Sequence, residues 1–199
     1  MKTILRLKQL EFGPRKGIVL AGPISCLLKE GQLLWVQGPN GSGKTTLIKT
    51  LLGQAHVHRG TMETPPRKQI AYLPQMQNRS VPWPITLGDV LNLAEKRPGA
   101  YHSSLIKKNR LHLPWNTASG GERQRILLMR TLQQNPALLI VDEPLNHLDL
   151  KSQALFVVAL RNYMDAGGAV IVVEHDAMPD ALAPYLSQRI ELAGDSHDD

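Results

Sequence analysis

Cysteine is almost missing from this chain: its 199 residues include one, Cys26. A single thiol cannot close a disulfide within the chain, and no Cys/His pattern with zinc-finger spacing occurs, so no covalent or structural-metal framework is expected. A reducing, cytoplasmic setting fits that composition. Long apolar runs are missing too. A membrane-spanning helix needs roughly 18 or more consecutive apolar residues, and the strongest runs, Ala137 to Val141 and Ala169 to Val173, are far shorter. Arg6 and Lys8 interrupt the N-terminal segment before a signal-peptide core can form, so no export signal is read. Aromatic residues are few, and the basic residues are scattered in pairs such as Arg15-Lys16 and Lys107-Lys108, despite a net charge of +6 and a pI near 9.6. Scattered charge without interleaved aromatics reads as solvated surface, and nucleic acid is not expected as a partner.

Hydrophobic period and Gly/Pro punctuation divide what is present. Leu5, Leu7, Ile18 to Leu20 and Ile24 to Leu28, with turns at Gly13-Pro14 and Gly22-Pro23, suggest short antiparallel strands. Leu33 to Val36 reads as a buried strand entering a glycine-rich turn, and Leu47, Ile48, Leu51 and Leu52 form one face of the helix after it. Ile70 to Leu73 is a further short strand. From about 80 to 120 prolines thicken and strand patterns vanish, apart from a helix at Leu87 to Leu93, which suggests a small helical insertion. Beyond it, Glu122 to Gln134 reads as helix, Ala137 to Val141 as buried strand, Ser152 to Asp165 as helix and Ala169 to Val173 as buried strand. That alternation predicts an α/β fold with a parallel sheet and crossover helices, in one domain over 1–199.

Three motifs carry chemistry. Gly38, Pro39, Asn40, Gly41, Ser42, Gly43, Lys44 and Thr45, followed by Thr46, fit the P-loop, in which glycines let successive N–H groups converge on phosphate at a helix N-terminus. Lys44 would reach the β- and γ-phosphates and the Thr45 hydroxyl would ligate Mg²⁺. Four fixed positions match by chance in about one chain in a hundred of this length, and the flanking strand and helix lower that further. Asp142 and Glu143 close a buried strand at the end where nucleotides bind in parallel sheets. Asp142 suits Mg²⁺ coordination through water, and Glu143 suits a general base or water-orienting group. Ser119, Gly120, Gly121 and Glu122 open a helix and can offer bare N–H groups to phosphate, although an isolated Ser-Gly-Gly is more often only a cap.

In order, the P-loop, Tyr72-Leu-Pro-Gln75, Ala118-Ser-Gly-Gly-Glu122, Leu138 to Glu143, Asn146-His-Leu-Asp149 and Glu174-His175-Asp176 are similar to the nucleotide-binding domain of ATP-binding cassette (ABC) proteins. The resemblance covers nearly the whole chain. It implies a P-loop NTPase with a RecA-like parallel core, an N-terminal antiparallel β part and a helical insertion, binding ATP and Mg²⁺. It further implies that Gln75 touches Mg²⁺ and the attacking water, and that His175 contacts the γ-phosphate as charge develops. Ser119, Gly120, Gly121 and Glu122 would meet ATP held on a second copy in a head-to-tail dimer, with Asp149 at the seam. The chain departs from the family pattern at Ala118, usually leucine, and at Glu122, usually glutamine. The nearest aromatic to stack on adenine is Phe12, and the insertion is shorter than the family norm.

The resemblance implies an ATPase of a transporter, peripheral on the inner face of the membrane, beneath integral membrane permease subunits. Tyr72-Leu-Pro-Gln75, Pro84 to Val90 and Arg97-Pro-Gly99 resemble importers of zinc, manganese or chelated iron, which would add a substrate-binding protein. The small size also resembles the ATPases of cytochrome c biogenesis exporters. A soluble cassette ATPase acting on ribosomes or nucleic acid is the alternative, suggested by Glu143 to Asp149 and the basic pI, but such proteins usually carry two cassettes and a charged linker. A non-catalytic ATP switch is disfavoured by the intact Lys44, Asp142, Glu143 and His175. His56 and His58 are read as solvated loop residues rather than metal ligands.

Overall fold

The computed structural model of the chain describes residues 1–75, 82–97, 105–146 and 148–193. Five parallel strands make its centre, and their sequence explains their depth. β3 (Leu33–Gln37), β6 (Leu138–Asp142) and β7 (Ala169–Glu174) are almost unbroken apolar runs. An apolar run without alternation marks a strand covered on both faces. With β5 (Ile70–Leu73) and β8 (Leu186–Glu191) they form a sheet of order β5-β6-β7-β3-β8.

Because successive side chains point to opposite faces of a strand, each central strand feeds two cores. Leu34, Val36, Ile140, Ile171 and Val173 pack with Leu47, Ile48 and Leu51 of helix α1 (Lys44–Leu51) and with Leu5, Leu7, Leu10 and Phe12 of a second sheet. Trp35, Leu139, Val141, Val170 and Val172 pack against Leu128 and Leu132 of α3 (Gly120–Leu132) and Phe156 and Leu160 of α4 (Leu150–Asp165). The second sheet is antiparallel, with order β2-β1-β4, where β1 is Thr3–Gly13, β2 Ala21–Lys29 and β4 His56–Glu63. Cys26 is buried on β2, where desolvation pushes its thiol up to about 11 and leaves it unreactive.

Between β5 and α3 the described residues hold α2 (Leu87–Asn92), started by a capping box in which Thr86 and Asp89 exchange bonds. Leu87, Val90 and Leu91 bury a small satellite core with Ile106, Ala118 and Ile126. Pro98 and Gly99 of the Arg97-Pro-Gly99 segment lie outside the described residues.

The structure corrects several sequence expectations. β1 is one strand of 11 residues, not short pieces, and its bulges around Gln9 (φ 47°) break the expected alternation. His56 and His58 stand on β4 rather than in a loop, with ring centroids 4.8 Å apart. Phe12 is fully buried between the sheets and cannot stack on a base. α3 and α4 each begin two residues earlier than their patterns suggest, because Ser119 and Asp149 supply N-caps.

Leu139 sits on a central strand with none of its surface exposed. Leu139→Ala should cost about 2–5 kcal/mol of stability, read as a lower urea midpoint with unchanged m-value.

Candidate functional site

The candidate residues meet at one edge of the parallel sheet because four neighbouring strands end there. β5 leads to Gln75, β6 ends at Asp142, β7 is followed by His175, and β3 runs through Gln37 into the P-loop. Parallel registry places Asp142 beside Val173 and Gln37 beside Glu174, so these chain ends share a rim. This is the C-terminal side on which open α/β sheets bind ligands.

At the P-loop, Gly43 has φ 92° and is the N-cap of α1. A Cβ there would be strained in this left-handed conformation and would lie 3.2 Å from Leu20. The Lys44 ammonium donates to the carbonyls of Gly38 (2.7 Å) and Pro39 (2.9 Å), which curls its side chain back over the loop. Ser42 is buried in the turn.

On the opposite wall, Tyr72 donates its hydroxyl to Asp142 Oδ2 at 3.0 Å. The registry explains this contact: Tyr72 pairs with Ile140, and Asp142, two residues further on, points to the same face. Burial raises the Asp142 carboxyl above its ordinary range, and neighbouring Glu143 adds to that, while Tyr72 and Lys44 oppose it. Glu143 has φ 44°, an uncommon backbone state for a side-chain-bearing residue, and its N–H is tied to Val173 O at 2.8 Å. Its Oε2 accepts from Gln75 Nε2 and from Asn146 Nδ2, both at 2.7 Å. Its Oε1 lies 4.0 Å from Nδ1 of His175.

These walls enclose an open cleft of about 290 Å³ lined by Asn40, Gly41, Gly43, Lys44, Thr45, Thr46, Gln75, Asp142 and Glu143, together with Leu20. Gly38, Pro39 and His175 line a second opening with Gln37, Glu191 and Leu192. Ser119, Gly120, Gly121 and Glu122 line neither opening. Ser119 instead caps α3: its Oγ accepts from Glu122 N at 3.2 Å, and Glu122 Oε2 accepts from Ser119 N at 2.9 Å. Arg110 grips Glu122 Oε1 at 2.8 Å and, with the Ser119 bonds, holds that carboxyl down at about 2. The donor set on the cleft wall fits a hard divalent cation: the Thr45 hydroxyl, the Gln75 side-chain amide and the Asp142 carboxylate all offer oxygen and none offers sulfur.

Three partners in this network had no role in the sequence reading. Tyr72 and Asn146 lay inside recognised motifs, but only the folded registry shows which carboxylate each one touches. Glu174 extends an apolar strand and is buried completely. Burial pushes its carboxyl up to about 7, against the main-chain N–H groups of His175 and Leu145, which lower it together with the His175 ring; Glu143 adds to the rise.

Comparison with known proteins places these observations. A family model described as ABC transporter matches residues 21–146. The zinc import ATP-binding protein ZnuC of Yersinia enterocolitica is 33% identical over 186 residues, which cover 88% of this chain and 71% of that protein. The protein of the same name from Photorhabdus laumondii is 34% identical over 88% of this chain and 70% of its own length. ZnuC 1 of Hahella chejuensis is 35% identical over 81% of this chain and 64% of its own. Among solved structures, an ATP-binding subunit of an ABC transporter matches with TM-score 0.76 at 22% identity, over 95% of this chain and 85% of that one. A protein described as a metal-chelate type ABC transporter, in an inward-facing conformation, matches with TM-score 0.76 at 23% identity, over 96% and 80%. At such identities these structures speak to the fold.

The raised Glu174 carboxyl makes a pH prediction. Its ordinary value is 4.5 and its folded value about 7, so the folded chain holds a proton that the unfolded chain releases in that window. The contribution to stability is complete below the lower value and is lost as pH rises through the upper one, at about 1.4 kcal/mol per pH unit. Glu174→Gln should therefore stabilise the chain relative to wild type more at pH 8 than at pH 5, in thermal melts at matched ionic strength.

Proposed function

The chain belongs to the ABC transporter family, and on that premise we propose that it binds Mg-ATP in the P-loop cleft, hydrolyses it with Glu143, and drives integral membrane permease subunits. As a member of that family the chain is an ATP-binding ATPase subunit. The observation that carries the site assignment is the convergence of Lys44, Thr45, Gln75, Asp142 and Glu143 on one cleft from three separate segments of chain.

The P-loop amides and the α1 N-terminus receive the β- and γ-phosphates, and Lys44 exchanges its loop carbonyls for phosphate oxygens. Thr45, Gln75 and Asp142 would hold Mg²⁺, which would supply charge neutralisation for the triphosphate. Tyr72 fixes the Asp142 carboxylate from behind. With Oε2 of Glu143 taken up by two amides, Oε1 is the oxygen that orients the attacking water and accepts its proton. His175, on the same rim, donates to the γ-phosphate as charge develops.

Ser119, Gly120, Gly121 and Glu122 serve ATP bound to a second copy, in a head-to-tail dimer. Support comes from their absence from the cleft of their own chain and from the exposure of Ser119. Leu150, next to Asp149, is 84% exposed, which suits a residue covered at a seam. No helix among the described residues is long and apolar enough to cross a membrane, so the proposed location is peripheral, on the inner face of the cell membrane beneath the permease. The relatives named for zinc import support a metal ion or metal chelate as cargo, with a substrate-binding protein as a further partner.

Glu143→Gln should keep ATP binding, accumulate an ATP-bound dimer in size-exclusion chromatography with light scattering, and lower turnover by about 10²-fold or more. Undiminished phosphate release in that variant would remove Glu143 from this role. Lys44→Ala should weaken ATP binding about 10- to 100-fold, the worth of a charged hydrogen bond, as measured by calorimetric titration; unchanged affinity would contradict the phosphate cradle.

A further inference from the structure

Glu174 is the last residue of β7, and none of its surface is exposed. Its Oε1 accepts from the His175 main-chain N–H at 3.3 Å and lies 3.4 Å from Nδ1 of the His175 ring. Its Oε2 is buried without a hydrogen bond of normal geometry, although the Leu145 N–H is near enough to affect the carboxyl. A buried, incompletely paired carboxylate costs free energy, and the rest of β7 is apolar. Packing alone gives no reason for a carboxylate here.

The surroundings give one. Gln37 Nε2 on β3 donates to the His175 carbonyl at 3.1 Å, so both main-chain polar groups of His175 are held from neighbouring residues. The ring has its Nδ1 turned inward, between Glu174 Oε1 and the more distant Glu143 Oε1, while Nε2 points outward, 3.5 Å from Asp176 Oδ1. A phosphate oxygen only accepts hydrogen bonds, so the nitrogen facing it must carry a proton.

We propose that Glu174 is a positioning residue for His175, anchoring Nδ1 inside the protein so that Nε2–H is presented to the phosphate on the P-loop. The proposal rests on the reading of His175 as a phosphate-contacting residue. One proton lies between Glu174 Oε1 and His175 Nδ1. When the carboxyl holds it, Glu174 donates to Nδ1 and the neutral ring carries its own proton on Nε2; when Nδ1 holds it, Nε2–H is present in the imidazolium form that pairs with the Glu174 carboxylate. The groups facing this pair are Glu143, Asp176 and the main-chain N–H groups of His175 and Leu145.

The test uses the full chain with Glu174→Met, which keeps an apolar side chain of similar length in the site, and Glu174→Gln, whose amide N–H can donate to Nδ1. Glu174→Met should melt no lower than wild type, keep KM for ATP within about twofold and lower kcat about tenfold. Glu174→Gln should recover most of that loss. On a His175→Ala background, Glu174→Met should cause no further loss. Wild-type kcat in Glu174→Met, or the same tenfold loss added to His175→Ala, would overturn the proposal while leaving the reading of His175 intact. Wild-type turnover in His175→Ala alone would instead fault that reading, and the proposal with it.

Discussion

Two side-chain amides, Gln75 Nε2 and Asn146 Nδ2, reach the same oxygen of Glu143, each at 2.7 Å. The candidate chemistry depends on this constraint, because it spends one carboxylate oxygen on orientation and leaves the other facing the rim. Gln75 follows β5, Glu143 follows β6 and Asn146 lies in the turn after Glu143, so the contact exists only while β5 and β6 stay in register. The backbone at Glu143 turns through φ 44° to make it. Such a conformation costs of order 1–3 kcal/mol and persists where its surroundings over-determine it. Here Val173 O holds the N–H, Pro144 follows, and the amides hold the side chain.

A second chain of contacts joins α3 to Asp149. Ser152 Oγ donates to Asp149 Oδ2 at 3.2 Å and accepts from Arg125 at 2.8 Å, and Ser152 N donates to Asp149 Oδ1 at 2.7 Å. Gly121 allows this because a Cβ at that position would collide with the Ser152 side chain. The N-termini of α3 and α4 are thereby locked together. At the same place, glutamate at 122 completes a capping box and pairs with Arg110, two contacts that its carboxylate makes through different oxygens. The departure from the usual glutamine thus has a local structural reason.

Much of this was legible in the sequence for stated physical reasons. β3, β6 and β7 are covered on both faces and so appear as bare apolar runs, and the P-loop and the Asp142-Glu143 pair sit where such runs stop. β4 and β8 were not legible. β4 has no buried position and β8 has one, Ile190, so each is an edge strand whose existence depends on the partner strand rather than on its own pattern. Phe12 illustrates the opposite error: proximity in sequence to the first strands suggested a base-stacking role, but its place on β1 puts it between the two sheets. Glu174 gave no motif signal of its own, since a carboxylate ahead of His175 acquires meaning only once β7 is known to bury it.

The central claim is that one cleft gathers a triphosphate from its own chain while Ser119 of a second copy closes over it. A structure determined with ATP and Mg²⁺ bound tests it most directly. The account predicts phosphate oxygens within about 3.2 Å of Lys44 Nζ and of the partner's Ser119. A triphosphate bound away from the P-loop, or one closed over without Ser119 of the partner subunit, would contradict it.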